Sequence, residues 1–347
     1  ILPKKPQHIF SELADMHPTT KLNETFQYQN QMVAAGGYIA AMVYNNDVDY
    51  GAAYNQAMRE LVFLPLDMKN TTLDFEEVIK RKNIAIPHSS DIWGKQEIIP
   101  LEKERTFEYG RPAGSIFSNV LDISNFIITE MNHGIAPSGK RVVSEKNLIY
   151  RWQPQVKIDT HYAYGLGWRI GNYKGLQVLS HNGATMGFAA NVYFFPDKEI
   201  GVVMISNSTR GHSAEYIIYQ RLLEFWFGID NKVEQQLNYS IREKRKMLSD
   251  TTNRIESAEK SWLKTFVGKH VNAELGTITI TREGDNYQLQ IGRYQTEILP
   301  YNNVDGRRLI IFVDSPISGF LLYPHNAAKG TFGIYESQHS YIFNKIE

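Results

Sequence analysis

Two short stretches of this chain carry side chains able to relay protons or hold an acyl group: Tyr28-Gln29-Asn30 and His181-Asn182-Gly183-Ala184. In an extended segment residues two apart face the same side, so Tyr28 and Asn30 can both reach one cavity. A hydroxyl nucleophile needs a neighbouring base, and a phenol can be that base. Taken alone the tripeptide is a weak signal, because Tyr-x-Asn recurs at Tyr44-Asn45-Asn46 and at Tyr301-Asn302-Asn303. His181 stands at an expected strand end, where an imidazole more often serves structure than chemistry. Only the elements around the two stretches can decide their role.

Residues 30–43 read as a helix whose first half holds Ala34-Ala35-Gly36-Gly37. Each mid-helix glycine costs about 1 kcal/mol relative to alanine, worthwhile where another element packs very close. A second helix is expected over 49–63, ending at Leu64-Pro65, and residues 70–110 are loop-rich, punctuated by Pro87, Gly94 and Pro100. Residues 118–134 predict a helix capped by Ser118 or Asn119 and stopped by Gly134. The period then changes. Residues 176–181, 188–195 and 199–206 are short, apolar or alternating, and the turn Pro196-Asp197-Lys198 joins the last two into an antiparallel meander. A helix follows near 213–227, and the charged, helix-permissive residues 232–260 read as a linker. From 265 onward come about eight short strand candidates, and the alternation Thr277-Ile278-Thr279-Ile280-Thr281 gives one wet and one dry face. Their spacing predicts a small antiparallel β-barrel. The expected division is a first domain over 1–231, a helical linker over 232–260 and a barrel over 261–347.

The order of these features carries a resemblance. Tyr-x-Asn opens a small-residue helix, "FLPLDMKNT" (63–71) follows, and "PAGSIFS" (112–118) leads into the next helix. "YGLGW" (164–168) precedes the strand that runs into "HNGATMGF" (181–188), and "VVMISNS" (202–208) closes the meander. From about Thr20 to Asn207 the series resembles the serine β-lactamase and penicillin-binding-protein superfamily. Within it, the series is similar to the class C β-lactamase-like branch of esterases, D-aminopeptidases and D-alanyl-D-alanine carboxypeptidases. The β-rich end is similar to the lipocalin-like barrel appended to some members. The implied fold is α/β (α+β), an antiparallel sheet flanked by helices, with the barrel C-terminal to it.

That family works through Ser-x-x-Lys, Tyr-x-Asn and Lys-Thr-Gly or a His-x-Gly variant. The resemblance makes Tyr28 and His181 the catalytic pair, with Asn30, Asn182, Gly183 and Ala184 contacting substrate. It implies that Asn30 holds the substrate's amide and that the Ala184 N–H supports the oxyanion. Half-ionising a phenol at neutral pH needs a shift of about 3 units from about 10, or about 4 kcal/mol. One contacting cation supplies roughly 1–3 units, so the expectation is that the motif lysine and a protonated His181 act together, or that neutral lysine takes the proton. An edge strand beside His181 is expected to present its backbone to an extended substrate.

The resemblance breaks in three places. No Ser-x-x-Lys precedes Tyr28, and the sequence reads as beginning in mid-protein, so the nucleophile is expected on a preceding segment that stays associated. Ser257-Ala258-Glu259-Lys260 and Ser261-Trp262-Leu263-Lys264 match the string but lie on the wrong side of His181 and read as coincidences. Asp67 and Ser115 stand where the family usually has glycine.

Composition removes several function classes. Lysine plus arginine equals aspartate plus glutamate, 37 against 37, leaving no electrostatic footprint for nucleic acid. There is no cysteine, which excludes disulfides, thiolate metal sites and a cysteine nucleophile. The ten histidines show no His-x-x-x-His spacing, and no metal or cofactor is expected. No run is long enough for a membrane-spanning helix, and "ILPKKPQHIF" is not a signal peptide. Compartment follows only from the resemblance, as periplasmic or extracellular. The expected activity is serine acyl transfer to water from a peptide, ester or β-lactam, with this chain alone inactive. The rival expectation is a silent binding or scaffold protein with a ligand-holding barrel.

Overall fold

The structure, a computed structural model, describes residues 5–22, 24–335 and 340–346; residues 1–4 of the N-terminal stretch lie outside these. Its contacts divide the chain into two units, one of residues 4–87 and 100–219, the other of residues 1–3, 88–99 and 220–347.

The first unit opens with helices α1 (His8–Asp15), α2 (Asn30–Tyr44) and α3 (Tyr50–Met58). Ala34, Ala35, Tyr38 and Ala41 form the buried face of α2. The first three pack with Ile9, and the Tyr38 hydroxyl donates to the Tyr109 carbonyl at 2.8 Å. Gly37 is the glycine that a close approach requires, since a Cβ there would lie 2.3 Å from the Pro112 Cβ. Gly36 faces open space. The helix expected over 49–63 keeps its length but changes winding, becoming a π-turn over Arg59–Phe63 in which the Leu64 N–H bonds the Arg59 carbonyl.

The loop-rich span holds more order than its punctuation suggests. It contains helix α4 (Phe75–Val78), strands β1 (His88–Ser90) and β2 (Gln96–Ile98), and 3₁₀ turns over Leu101–Ala113 broken at Gly110. Helix α5 (Val120–Met131) is capped by the Asn119 side chain, which accepts from the Asp122 N–H, and Gly134 follows it at φ +88°. After α6 (Glu145–Arg151) come β3 (Val156–Lys157), β4 (Tyr162–Tyr164), β5 (Arg169–Tyr173), β6 (Leu176–Ala184), β7 (Ala189–Phe195) and β8 (Ile200–Ser206). They form one antiparallel sheet in sequence order. Trp152, Trp168, Leu179, Phe194 and Ile127 of α5 build the core against it.

Helix α7 (Gly211–Phe227) leads to α8 (Val233–Glu256), so the expected linker is a helix of 24 residues. Its Ile255 packs with Leu299, Ile311 and Val313 and with Ile92 from between β1 and β2. The Ile92 N–H also bonds the Val313 carbonyl, so this hairpin adds to the barrel's unit. The barrel itself closes eight strands, β9 (Gly268–Asn272), β10 (Gly276–Glu283), β11 (Asn286–Ile291), β12 (Tyr294–Asn302), β13 (Arg308–Phe312), β14 (Leu321–Asn326), β15 (Thr331–Tyr335) and β16 (Ser340–Lys345). Ile278, Ile280, Leu289, Ile298, Ile310, Leu322, Phe332 and Phe343 are all fully buried. Phe332 packs between His270 and Phe343, at centroid distances of 4.5 Å and 5.6 Å. Side chains therefore fill this small barrel.

The two glycine departures share one cause. Asp67 has φ +56° and Ser115 φ +66°, the left-handed region where a Cβ costs roughly 1–2 kcal/mol and glycine nothing. Aspartate tolerates this conformation better than serine. Ser115→Gly is therefore expected to raise stability by about 1 kcal/mol and Asp67→Gly by less, read as shifts in the urea midpoint; a destabilised Ser115→Gly would contradict this account.

Candidate active site

Residues 26–29 lead into α2, with Gln29 extended just before the helix. Phe26 and Tyr28 both meet Tyr164 of β4, with ring centroids 5.3 Å and 6.1 Å away. The Tyr28 ring lies 6.3 Å from that of His181, centroid to centroid. Sequence positions 28 and 181 thus come together. Tyr28 is 51 % exposed, and its hydroxyl makes no hydrogen bond among the described residues. Asn30 opens α2 as an exposed residue, and Asn182, Gly183 and Ala184 are exposed along the end of β6.

The second half of β6 has a free edge. β5 pairs with β6 only as far as Arg169 opposite Ser180, whereas β7 continues alongside to Ala189 opposite Ala184. Residues 181–184 therefore keep one row of backbone groups without a strand partner. β7 is itself anchored, because Asn191, opposite Asn182 in register, is buried and donates to Glu215 of α7.

"YGLGW" builds the other wall. Trp168 is core, and Gly165 passes so close to Arg151 that a Cβ would lie 2.2 Å from its carbonyl oxygen. Gly167 turns the chain at φ +84°, and the Gly165 N–H bonds the Trp168 carbonyl at 2.8 Å. This tight turn fixes Tyr164 at the end of β4. Its hydroxyl lies 2.8 Å from His181 Nε2, while His181 Nδ1 lies 2.9 Å from the Asn182 carbonyl.

These two bonds assign the tautomer. A carbonyl only accepts, so Nδ1 carries a proton and donates. Burial pushes the Tyr164 phenol up to about 12, so it keeps its proton, and in a neutral ring protonated at Nδ1 it is Nε2 that accepts from this O–H. Burial also lowers the His181 pKa below its ordinary 6.5, and Arg169 lowers it further, outweighing the pull of the Asn182 carbonyl. His181 is therefore neutral at pH 7. The expectation of a protonated His181 does not hold, for the physical reason that its ring is desolvated and lies near the Arg169 charge. Tyr28 moves the same way: burial raises its phenol above 10. One lysine worth 1–3 units cannot bring it to half-ionisation at neutral pH.

Both serine look-alikes are engaged elsewhere. The Ser257 hydroxyl donates to the Arg254 carbonyl, Ser261 to Glu259, and the Lys260 ammonium pairs with Glu297 at 3.3 Å.

Two residues escaped the sequence reading. Tyr164 lay inside a quoted motif whose position before β6 was its only signal. Glu104, among the charged letters "EKER", gave none. It is 4 % exposed and accepts from the Gly187 N–H at 2.9 Å, clamping the turn in which the Thr185 N–H bonds the Phe188 carbonyl. That turn begins one residue after Ala184. Burial holds the Glu104 carboxyl above its ordinary 4.5, while the Gly187 and Met186 amides pull it back. A raised carboxyl binds its proton more tightly folded than unfolded, so its contribution to stability is fullest below pH 4.5 and declines as pH rises through the folded value. Glu104→Gln keeps an acceptor and removes the titration, so its urea midpoint should gain on wild type as pH rises from 4.5 to 7. Glu104→Ala, leaving a buried N–H unpaired, should lose about 1–3 kcal/mol. Parallel pH profiles for wild type and Glu104→Gln would contradict this role.

The chain has relatives among known proteins in sequence and in fold. Over 184 residues the chain is 24 % identical to "Penicillin-binding protein 4" of Amycolatopsis lactamdurans, spanning 52 % of this chain and 48 % of that protein. It is 24 % identical over 204 residues to "Unguisins hydrolase ungD'" of Aspergillus campestris, covering 55 % of this chain and 34 % of that one. The chain thus spans half or less of the length of these relatives. Among solved structures it resembles the octameric penicillin-binding protein homologue from Pyrococcus abyssi, with TM-score 0.58 and 21 % identity over 99 % of this chain and 71 % of that one. That likeness is one of fold. The profile of the family described as Beta-lactamase matches residues 2–224, and the chain belongs to that family.

Proposed function

We propose that this chain belongs to a serine acyl-transfer hydrolase acting on a peptide, ester or β-lactam carbonyl. The observation that carries the proposal is the half-exposed Tyr28 phenol, its hydroxyl unbonded, set 6.3 Å from the His181 ring beside a free strand edge. An extended substrate would pair with residues 181–184 along that edge. The Ala184 N–H would then meet the oxyanion of the tetrahedral intermediate, a contribution of about 3–4 kcal/mol from one well-placed donor. The neutral Tyr28 would pass the proton between the attacking serine, a lysine and the leaving group. Asn30 and Asn182 would hold the substrate's amide.

The serine and lysine belong, in this reading, to a segment that packs on α2. Met32, Gly36, Ile39, Ala40 and Val43 of that helix are all exposed and uncharged, and they recur along one helical face at i, i+4, i+7, i+8 and i+11. Such a stripe is the face a neighbouring element covers, and Gly36 supplies the close approach that nothing in the described chain uses. The rival reading of a ligand-holding barrel finds no support in an interior already filled by Phe332, Phe343 and their neighbours.

The test uses protein made with a Ser-x-x-Lys segment preceding Tyr28. A fluorophosphonate should label the serine of that segment, and Tyr28→Phe should slow labelling about 10²–10⁴-fold. Gly36→Leu should slow it too, while leaving the 347-residue chain folded. The 347-residue chain alone should take no label. Acylation of Ser257 or Ser261, or labelling that survives Tyr28→Phe unchanged, would contradict the assignment.

A further inference from the structure

The open end of β6 is shaped by one buried carboxylate, and its backbone groups can be followed one by one. The Thr185 N–H bonds the Phe188 carbonyl at 3.0 Å, so Thr185 turns its backbone toward the β7 side. Direction alternates along an antiparallel pair, so Ala184, opposite Ala189, turns its N–H and C=O to the free edge. Asn182 does the same, and its carbonyl is where His181 Nδ1 finds an acceptor. β5 stops pairing at Ser180, which leaves β7 as the only strand alongside Ala184 among the described residues. β7 is fixed on its own account at this end. Ala189 is buried, and a Cβ added to Gly211 of α7 would lie 3.1 Å from the Ala189 Cβ. The β6 side has a different tether. Buried Glu104 accepts from the Gly187 N–H at 2.9 Å, and the Met186 amide also reaches its carboxylate. Two successive amides converging on one acceptor fix the plane of the turn that follows Ala184.

Resting on the hydrolase reading above, we propose that Glu104 is a positioning residue for acyl transfer: by clamping the Gly187 amide it holds the Ala184 N–H on the oxyanion of the tetrahedral intermediate. Such a donor must sit about 2.7–3.1 Å from the charged oxygen. A misplacement of about 1 Å can cost roughly 10²-fold in rate. Without the carboxylate, the Met186 and Gly187 amides lose their buried acceptor and must turn elsewhere to be satisfied. Ala184 is one residue from that turn and has no strand on its open side to resist the movement. Its aim therefore moves with the turn, while Ala189 stays packed against α7. The loss falls on the transition state, because the oxygen becomes charged only after attack. Glu104 bonds the turn and not the edge, so its effect on rate passes through the backbone.

The experiment compares a p-nitrophenyl ester with its thionoester, in which sulfur replaces the carbonyl oxygen, on the hydrolase carrying its Ser-x-x-Lys segment. Sulfur is a weak acceptor, so the thionoester draws little from the Ala184 N–H. Fluorophosphonate labelling counts the active sites, which removes any loss of folded protein from the comparison. Glu104→Ala should lower kcat/KM about 30-fold for the ester and about threefold for the thionoester, narrowing their ratio about tenfold. A merely structural role would lower both alike. Glu104→Gln keeps an acceptor for the Gly187 N–H and should hold the ratio within about threefold of wild type. Glu104→Asp, one methylene short of that N–H, serves as a second variant if Glu104→Ala does not fold, with the ratio narrowing about threefold. A ratio left at the wild-type value by Glu104→Ala, or by Glu104→Asp where the alanine variant does not fold, would overturn the proposal. Labelled enzyme with an unmoved ratio sinks this inference alone, whereas wild type that takes no label removes the hydrolase reading and this inference with it.

Discussion

The site is organised by one hydrogen bond, from the Tyr164 hydroxyl to His181 Nε2. The Asn182 carbonyl sets the tautomer by accepting from Nδ1, and the Tyr164 hydroxyl then satisfies Nε2 of the neutral ring. A buried imidazole without such a partner has to choose between an unsatisfied nitrogen and an unpaired charge, both costly in a desolvated setting. Here the donor comes from one strand and the acceptor for Nδ1 from the next peptide, so the ring is satisfied while neutral. The proton relay proposed for Tyr28 follows from this: with no imidazolium nearby to stabilise a phenolate, the phenol keeps its proton until a base elsewhere demands it.

Holding that bond in place is the work of backbone geometry. Gly165 leaves no room for a side chain, Gly167 takes a left-handed φ that favours glycine, and Trp168 roots the turn in the core. On the far side of the site Glu104 ties down the β6–β7 turn from below, so that β6 beyond Ser180 stays extended without a partner on its open edge. An unpaired edge of this length is normally an aggregation hazard. Its conjunction with an exposed phenol and a neutral imidazole is what makes a substrate the fitting occupant.

Much of this was legible in the letters. The Tyr-x-Asn before an Ala-rich helix and the histidine closing an apolar strand stood out because their spacing matched elements with clear periods. The barrel was legible for the same reason, since Thr277–Thr281 alternates cleanly and Ile278 and Ile280 are indeed buried. The glycine departures at Asp67 and Ser115 were visible only as oddities, and the left-handed backbone now gives them one cause. Burial of charge was not legible. Glu104 sits in a run of solvent-loving residues and could be told from Glu102 only by knowing where the 3₁₀ turns point it. The charge of His181 was misread for a related reason, because a pKa depends on neighbours that are distant in sequence, and Tyr164 is 17 residues away.

Two units of different class make up the chain, and chemistry has been assigned to one of them. The hairpin of β1 and β2 leaves the sequence of the first unit to pack with Val313 and Ile311 of the barrel, so the units are interleaved in sequence and not merely joined end to end. The account of the site, however, stands or falls on the state of a single ring. A long-range ¹H–¹⁵N correlation spectrum of the protein at pH 7, with the His181 resonances assigned from a His181→Gln variant, reads that state directly. A protonated Nδ1 with an unprotonated Nε2, persisting as pH is lowered below 6.5, is the expected pattern; an imidazolium at neutral pH, or the opposite tautomer, would contradict it.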